Sequence, residues 1–76
     1  MEFNIRAFGR LAEEAGREFR ISTPPDVSAL RESLKEHHAV FREIPFRISV
    51  NHRLVDGELP LKATDDIAVL PPFSGG

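Results

Sequence analysis

Short segments with alternating apolar and polar side chains dominate this chain, and one longer segment has helical periodicity. Phe3, Ile5 and Ala7 alternate with polar residues near the start, and Phe19 and Ile21 do so further on. A two-residue period is typical of strands with one face on a core. Because 76 residues can build only one small core, these strands are expected to share one sheet in a single domain, residues 1–76.

The helical segment has a clear beginning and one apolar stripe. Val27, Leu30 and Leu34 stand at i, i+3 and i+7, and Asp26 before them is a favoured N-cap residue. This spacing predicts the main helix over Val27–His37. A shorter helix is predicted over residues 10–15, where good helix formers are followed by Gly16.

The second half of the chain predicts two more strands. Residues 46–50 alternate apolar and polar side chains after a connector over residues 40–45, and Ile67–Leu70 is a short apolar run that ends before two prolines. Asn51-His52 and Asp56-Gly57 are turn sequences rather than sites. The order strand, strand, helix, strand, short elements and final strand predicts an α+β fold, a β-grasp with a mixed sheet and one main helix on one face. In that topology the last strand lies beside the first in the middle of the sheet, and residues 71–76 project as an extended tail.

Charge and composition exclude several classes of function. Ten Lys and Arg against twelve Asp and Glu are interspersed, with a net charge of −2, so no basic face is expected for nucleic acid. No apolar run approaches the ~20 residues of a membrane span, and the first residues lack the order of a secretory signal. We therefore expect a cytoplasmic protein with no membrane partner. Cysteine is absent, so any sulfur chemistry needs sulfur from another protein.

The sequence ends in Ser74-Gly75-Gly76. Two residues without Cβ atoms are thin and can adopt backbone angles closed to other residues, so the carboxylate of Gly76 could be threaded through a narrow channel to a reactive centre. Gly76 is then the candidate reacting group, with Gly75 and Ser74 as its flexible approach. The alternative at this point is an inert chain end, since such ends are often rich in small residues.

Several stretches resemble one family, the small sulfur-carrier subunit of molybdopterin synthase, which is ubiquitin-like. They cover both ends and the middle of the chain, in order: Phe8-Gly9-Arg10-Leu11-Ala12-Glu13 with Gly16, Val50-Asn51 with Leu54-Val55, Pro60-Leu61, and residues 65–76. Two positions depart from the family pattern. Thr64 stands where glycine is common, which affects the turn before the last strand, and Phe73 replaces the more usual valine.

The resemblance implies a non-catalytic carrier that binds no cofactor of its own. An ATP-dependent adenylyltransferase of the ubiquitin-activating type would adenylate Gly76, and a persulfide donor would convert the adenylate into a thiocarboxylate. The large catalytic subunit of molybdopterin synthase, expected in a heterotetramer with this subunit, would use the sulfur to form the dithiolene of molybdopterin.

Four apolar residues are predicted to form a docking patch. By the parity of the first strand, Phe8 lies on the polar face, and the same parity puts Leu70, together with the small Ala68, outward beside it. The resemblance adds Leu54 and Phe73, so the predicted patch consists of Phe8, Leu54, Leu70 and Phe73. A contiguous exposed apolar patch is typical of a protein interface. The alternative is that one or two of these residues fold into the core.

The remaining polar candidates are assigned to the solvated surface and to turns. His37, His38 and His52 lack the spacing of a metal site, and no metal is expected. The carboxylates of Glu13-Glu14, Asp56 and Asp65-Asp66 are assigned to turns and helix surfaces.

Three other functions stay open. A carrier for thiazole or tRNA thiolation would share the fold, although thiazole carriers usually lack the insert formed here by residues 8–16. A ubiquitin-like modifier would attach through Gly76 to lysines, and a plain interaction domain would keep an inert tail.

Overall fold

The computed structural model describes residues 1–72. They form a mixed five-stranded sheet in the order β2-β1-β5-β3-β4. The strands are β1 (Glu2–Ala7), β2 (Glu18–Ser22), β3 (Arg47–Val50), β4 (Arg53–Val55) and β5 (Ile67–Leu70), and the helices are α1 (Gly9–Ala15), α2 (Val27–His37) and α3 (Val40–Glu43). This is the predicted β-grasp.

The last strand lies in the middle of the sheet, as predicted. β5 pairs in parallel with β1 and antiparallel with β3, while β2 and β4 form the two edges. The register aligns Ile5 with Ile67 and Ile48 with Val69, so the isoleucine and valine side chains of the central strands share the inner face. All four are fully buried.

Helix α2 covers the inner face with the bounds that its sequence predicts. The Asp26 side chain accepts a hydrogen bond from the Ala29 amide at 2.7 Å, so it is the N-cap residue. Val27, Leu30 and Leu34 are at most 1% exposed, and burial of each side chain of this size stabilises the fold by about 1.5–3 kcal/mol. The helix therefore packs on the sheet through this single apolar stripe.

Three short elements differ from the sequence-based prediction. Residues 40–45, predicted as a connector, contain the single-turn helix α3, whose Val40 and Phe41 are buried. Strand β4 was not predicted, because three residues with mostly exposed side chains give no periodic pattern. Helix α1 begins one residue earlier than predicted, at Gly9.

The turn before β5 does not need glycine at Thr64. The Asp65 amide closes this turn by donating to the Lys62 carbonyl at 2.9 Å. Thr64 is not among the positive-φ positions of residues 1–72. Threonine at this position is therefore compatible with the turn.

Candidate functional site

The tail begins at the carboxyl end of β5, on the side of the sheet where β1 also ends. Because β1 and β5 are parallel neighbours, their carboxyl ends lie side by side. Phe8 follows β1, and its amide donates to the Val69 carbonyl at 3.2 Å, which continues the pairing beyond the last strand residue. Pro71, the first residue after β5, is consequently the root of the tail and lies next to the start of α1.

A groove of about 340 Å³ opens on the outer face of the sheet. Its floor follows from the strand register, which aligns Ser49 with Ala68 on β5 and with Leu54 on β4. Phe8 and Leu70 contribute to the same groove. The groove therefore begins at the tail root and runs across β5 towards β4.

Three of the four residues predicted to form the docking patch line this groove. Phe8 is 43% exposed and Leu54 52% exposed, and Leu70 is half-buried. None of the three belongs to the buried core, so the alternative of core residues does not apply to them. The fourth, Phe73, and the tail residues Ser74, Gly75 and Gly76 lie outside the described residues. That the groove binds a partner stays a prediction.

Charged residues form the rim of the groove beside the start of β5. The Arg6 guanidinium pairs with the Asp66 carboxylate at 2.8 Å, and His52 Nε2 lies 3.4 Å from the same carboxylate. Arg6 also lies 5.9 Å from the centroid of the Phe8 ring, within range of a cation–π contact. A half-exposed ion pair of this kind contributes about 0–1 kcal/mol. The pair gives the mostly apolar floor of the groove a polar border, and an apolar centre with a polar rim is the usual arrangement in a protein interface.

Sequence reasoning missed this rim. Arg6 was placed on the outer face by the parity of β1, but its partner Asp66 is 60 positions away. The pair follows only from the parallel register of β1 and β5. No short motif marks such a contact in the sequence.

The Asn51-His52 turn ties the β3–β4 hairpin to the start of β5. Both residues have positive φ, 52° and 69°, which is the type I′ geometry of two-residue hairpins. The Asn51 side chain accepts from the Asp66 amide at 2.9 Å and donates to the Asp65 carboxylate at 3.0 Å. These bonds support the predicted turn roles of Asn51 and Asp65.

Hydrogen bonding also stabilises the charged form of Asp65. The Lys62 amide, 2.8 Å away, and the Asn51 side chain lower the pKa of the Asp65 carboxyl. Glu58, on the loop after β4, accepts from the Ser28 amide at 3.0 Å, and this bond lowers its pKa too. Both carboxylates fasten loops to the fold and lie away from the apolar floor of the groove.

The other histidines have structural surroundings. The His37 ring stacks on Phe19, with centroids 4.5 Å apart, and His38 Nδ1 accepts from the Val40 amide at 3.0 Å. Within residues 1–72, no group of three or more His, Cys, Asp or Glu side chains could hold a metal ion. No helix in the described part of the chain is both long enough and apolar enough to cross a membrane.

Comparison with known proteins gives one family. The model of the ThiS family matches residues 5–76. Among curated protein sequences, none matches significantly.

Solved structures give the same fold over nearly the whole chain. A Pyrococcus furiosus protein assigned as molybdopterin converting factor subunit 1 superposes with a TM-score of 0.83 at 28% identity, covering 95% of this chain and 98% of that one. A chain of the complex of subunits 1 and 2 of molybdopterin-converting factor from Helicobacter pylori gives 0.71 at 32% identity, with both chains covered completely. The small archaeal modifier protein 1 from Methanosarcina acetivorans gives 0.75 at 26% identity, covering 99% and 96%.

Proposed function

Because this chain belongs to the ThiS family of ubiquitin-like sulfur carriers, we propose that it is the non-catalytic sulfur-carrier subunit of a molybdopterin synthase. The observation that carries the proposal is the position of β5. Its carboxyl end meets the exposed groove at Phe8 and Leu70, so a partner that covers the groove also receives the residues that follow Pro71. Docking of the partner on the groove would then also bring Gly76 to the active site of that partner.

The chemistry of the carrier resides in the Gly76 carboxylate. A carboxylate is a poor acyl donor, so an oxygen of Gly76 first attacks the α-phosphorus of ATP and releases pyrophosphate. The terminal sulfur of a persulfide then displaces AMP, and a thiol reduces the resulting acyl disulfide to the thiocarboxylate. The acyl adenylate hydrolyses unless the activating enzyme excludes water. This chain supplies no cysteine that could capture the activated acyl group.

The groove is the proposed docking surface for the activating enzyme and for the large catalytic subunit. The likeness to a chain of the Helicobacter pylori complex of subunits 1 and 2 supports a large subunit as partner. An apolar floor with the Arg6–Asp66 pair at its rim suits a partner with an apolar centre and a polar border. Since ATP and reduced sulfur are cytosolic substrates, we place the carrier in the cytoplasm.

The test is the intact mass of the protein after incubation with its activating enzyme, ATP and a persulfide donor. The expected result is a mass increase equal to the exchange of one oxygen for sulfur, seen with the full chain and lost in a variant that ends at Ser74. Addition of the large subunit and the cyclic pterin precursor should then return the original mass and form the dithiolene. If an active enzyme leaves the mass unchanged, the carrier proposal fails. If the thiocarboxylate forms but the large subunit does not consume it with the cyclic pterin precursor, the protein is instead a carrier for thiazole or tRNA thiolation.

A second candidate is a protein modifier, favoured by the likeness to the small archaeal modifier protein 1. In that case Gly76 would form an amide with lysine side chains of other proteins. An affinity-tagged chain expressed in its native cell should then appear in covalent conjugates that survive denaturation, and the variant ending at Ser74 should not. Without such conjugates the modifier function is excluded under the growth conditions used.

A further inference from the structure

Gly9 touches the root of the tail. It has a φ of +58°, and a Cβ atom built on it would lie 2.9 Å from Cγ of Pro71 and 3.5 Å from its Cδ. The two other glycines within residues 1–72 differ: at Gly16, with a φ of +98°, the nearest atom is the Glu18 carbonyl at 3.9 Å, and at Gly57 nothing lies within 4 Å. Close approach to the tail is therefore particular to Gly9.

Neither side of this contact can yield easily. The ring of Pro71 fixes its own φ, and its only internal adjustment is a change of ring pucker, which shifts Cγ slightly. On the other side, α1 is held by Leu11, which is fully buried, and by the bond from the Phe8 amide to Val69. A side chain at position 9 must therefore displace Pro71 itself.

We propose that Gly9 is a positioning residue that sets the direction in which the tail leaves the sheet. The inference rests on the proposed function, because the tail matters only if Gly76 reacts. Carbon atoms in ordinary contact lie about 3.5–4.0 Å apart, so a Cβ at position 9 would push Pro71 by about 0.6–1 Å. A displaced Pro71 changes the position from which the following residues enter the channel of the activating enzyme, and misplacement of about 1 Å near a reacting group can slow a reaction up to about 100-fold.

The variant that isolates this contact is Gly9→Asn. Asparagine tolerates positive φ better than other residues with a side chain, while its Cβ still meets Pro71. We expect kcat for pyrophosphate release with the activating enzyme to fall about 10- to 100-fold. KM should stay within about threefold, since the groove that docks the domain is unchanged.

Three further variants separate the contact from general strain. Gly16→Ala introduces an unfavourable φ far from Pro71, and Gly57→Ala introduces neither strain nor contact; both should keep the wild-type kcat. Pro71→Ala removes Cγ, so in its background Gly9→Asn should change kcat by less than about threefold, a non-additive pair. An equal loss in Gly16→Ala, or an undiminished effect of Gly9→Asn beside Pro71→Ala, would overturn the proposal.

A structural readout keeps this inference apart from the proposed function. The carbon and proton chemical shifts of the Pro71 ring should change in Gly9→Asn and stay constant in Gly16→Ala, with no enzyme present. Unchanged ring shifts would overturn the positioning role even if the wild type is adenylated. If the Pro71 ring shifts change in Gly9→Asn but the wild type is never adenylated, the carrier proposal is overturned. The direction of the tail would then have no function. If Gly9→Asn fails to fold, Pro71→Ala alone must lower kcat for the contact to matter.

Discussion

Replacing Leu11 by alanine should destabilise the domain by about 3 kcal/mol, although Leu11 lies in the seven-residue helix α1. Leu11 has no exposed surface. The truncation removes three carbons at about 0.8 kcal/mol each, and the cavity that remains adds to this loss. A domain of this length has a total stability of about 4–11 kcal/mol, so the loss is a large fraction of it.

Leu54→Ala is the matched control, because it is the same chemical change at a side chain that is 52% exposed. It should cost at most about 1.2 kcal/mol, since no more than half of the transfer energy applies and no closed cavity forms. The order reverses in binding. Covering the exposed half of Leu54 in a complex is worth about 1 kcal/mol, so Leu54→Ala should weaken the affinity for the large subunit about fivefold.

The assays are thermal unfolding followed by circular dichroism and titration calorimetry with the large subunit. Leu11→Ala should lower the unfolding midpoint by about 12–24 °C, at about 4–8 °C per kcal/mol. At temperatures where it is folded, its affinity should match the wild type. A stability loss below about 1 kcal/mol for Leu11→Ala would refute the view of α1 as part of the core. Unchanged binding by Leu54→Ala would refute the docking role of the groove at β4.

Two further predictions concern loops. Glu58→Gln should lower stability at neutral pH, because it weakens the bond to the Ser28 amide; Glu36→Gln, on the exposed face of α2, is the charge-matched control. The pKa of Glu58 is lower in the folded chain than its ordinary value of 4.5, so its contribution is present above that value and is lost as the pH falls through the folded pKa. The gap in urea midpoint between wild type and Glu58→Gln should therefore close in acid; a gap that widens there would contradict this. His52→Gly should raise the thermal midpoint, because glycine adopts the φ of 69° at no steric cost and relieves roughly 1 kcal/mol. A lower midpoint would show that the lost His52–Asp66 contact and the greater freedom of glycine in the unfolded chain together outweigh the strain.

The sequence predicted the parts of the fold that depend on local pattern. Helix α2 has its predicted bounds because Asp26 supplies a cap and Leu30 and Leu34 supply a stripe, all within 11 residues. β4 and α3 could not be predicted in this way, because they have only three and four residues and neither shows a period or an uninterrupted apolar run like that of β5.

In the candidate site, too, the sequence predicted the features that depend on local pattern and missed those that depend on long-range contacts. Phe8 was identified because its parity breaks the pattern of β1, which is a local observation. The Arg6–Asp66 pair and the contact of Gly9 with Pro71 depend on strands brought together from opposite ends of the chain. Their geometry is a property of the register, which the sequence specifies only through the whole fold.

The central position of β5 also determines how the domain responds to mechanical load. A pull on the tail acts along the axis of β5, which is bonded to β1 on one side and to β3 on the other. Because the ladder bonds run across the strands, such a pull loads the bonds of both neighbours together in shear, rather than opening them one by one as at a sheet edge. A partner that binds the tail tightly and later releases it can therefore exert force on the tail without unfolding the domain.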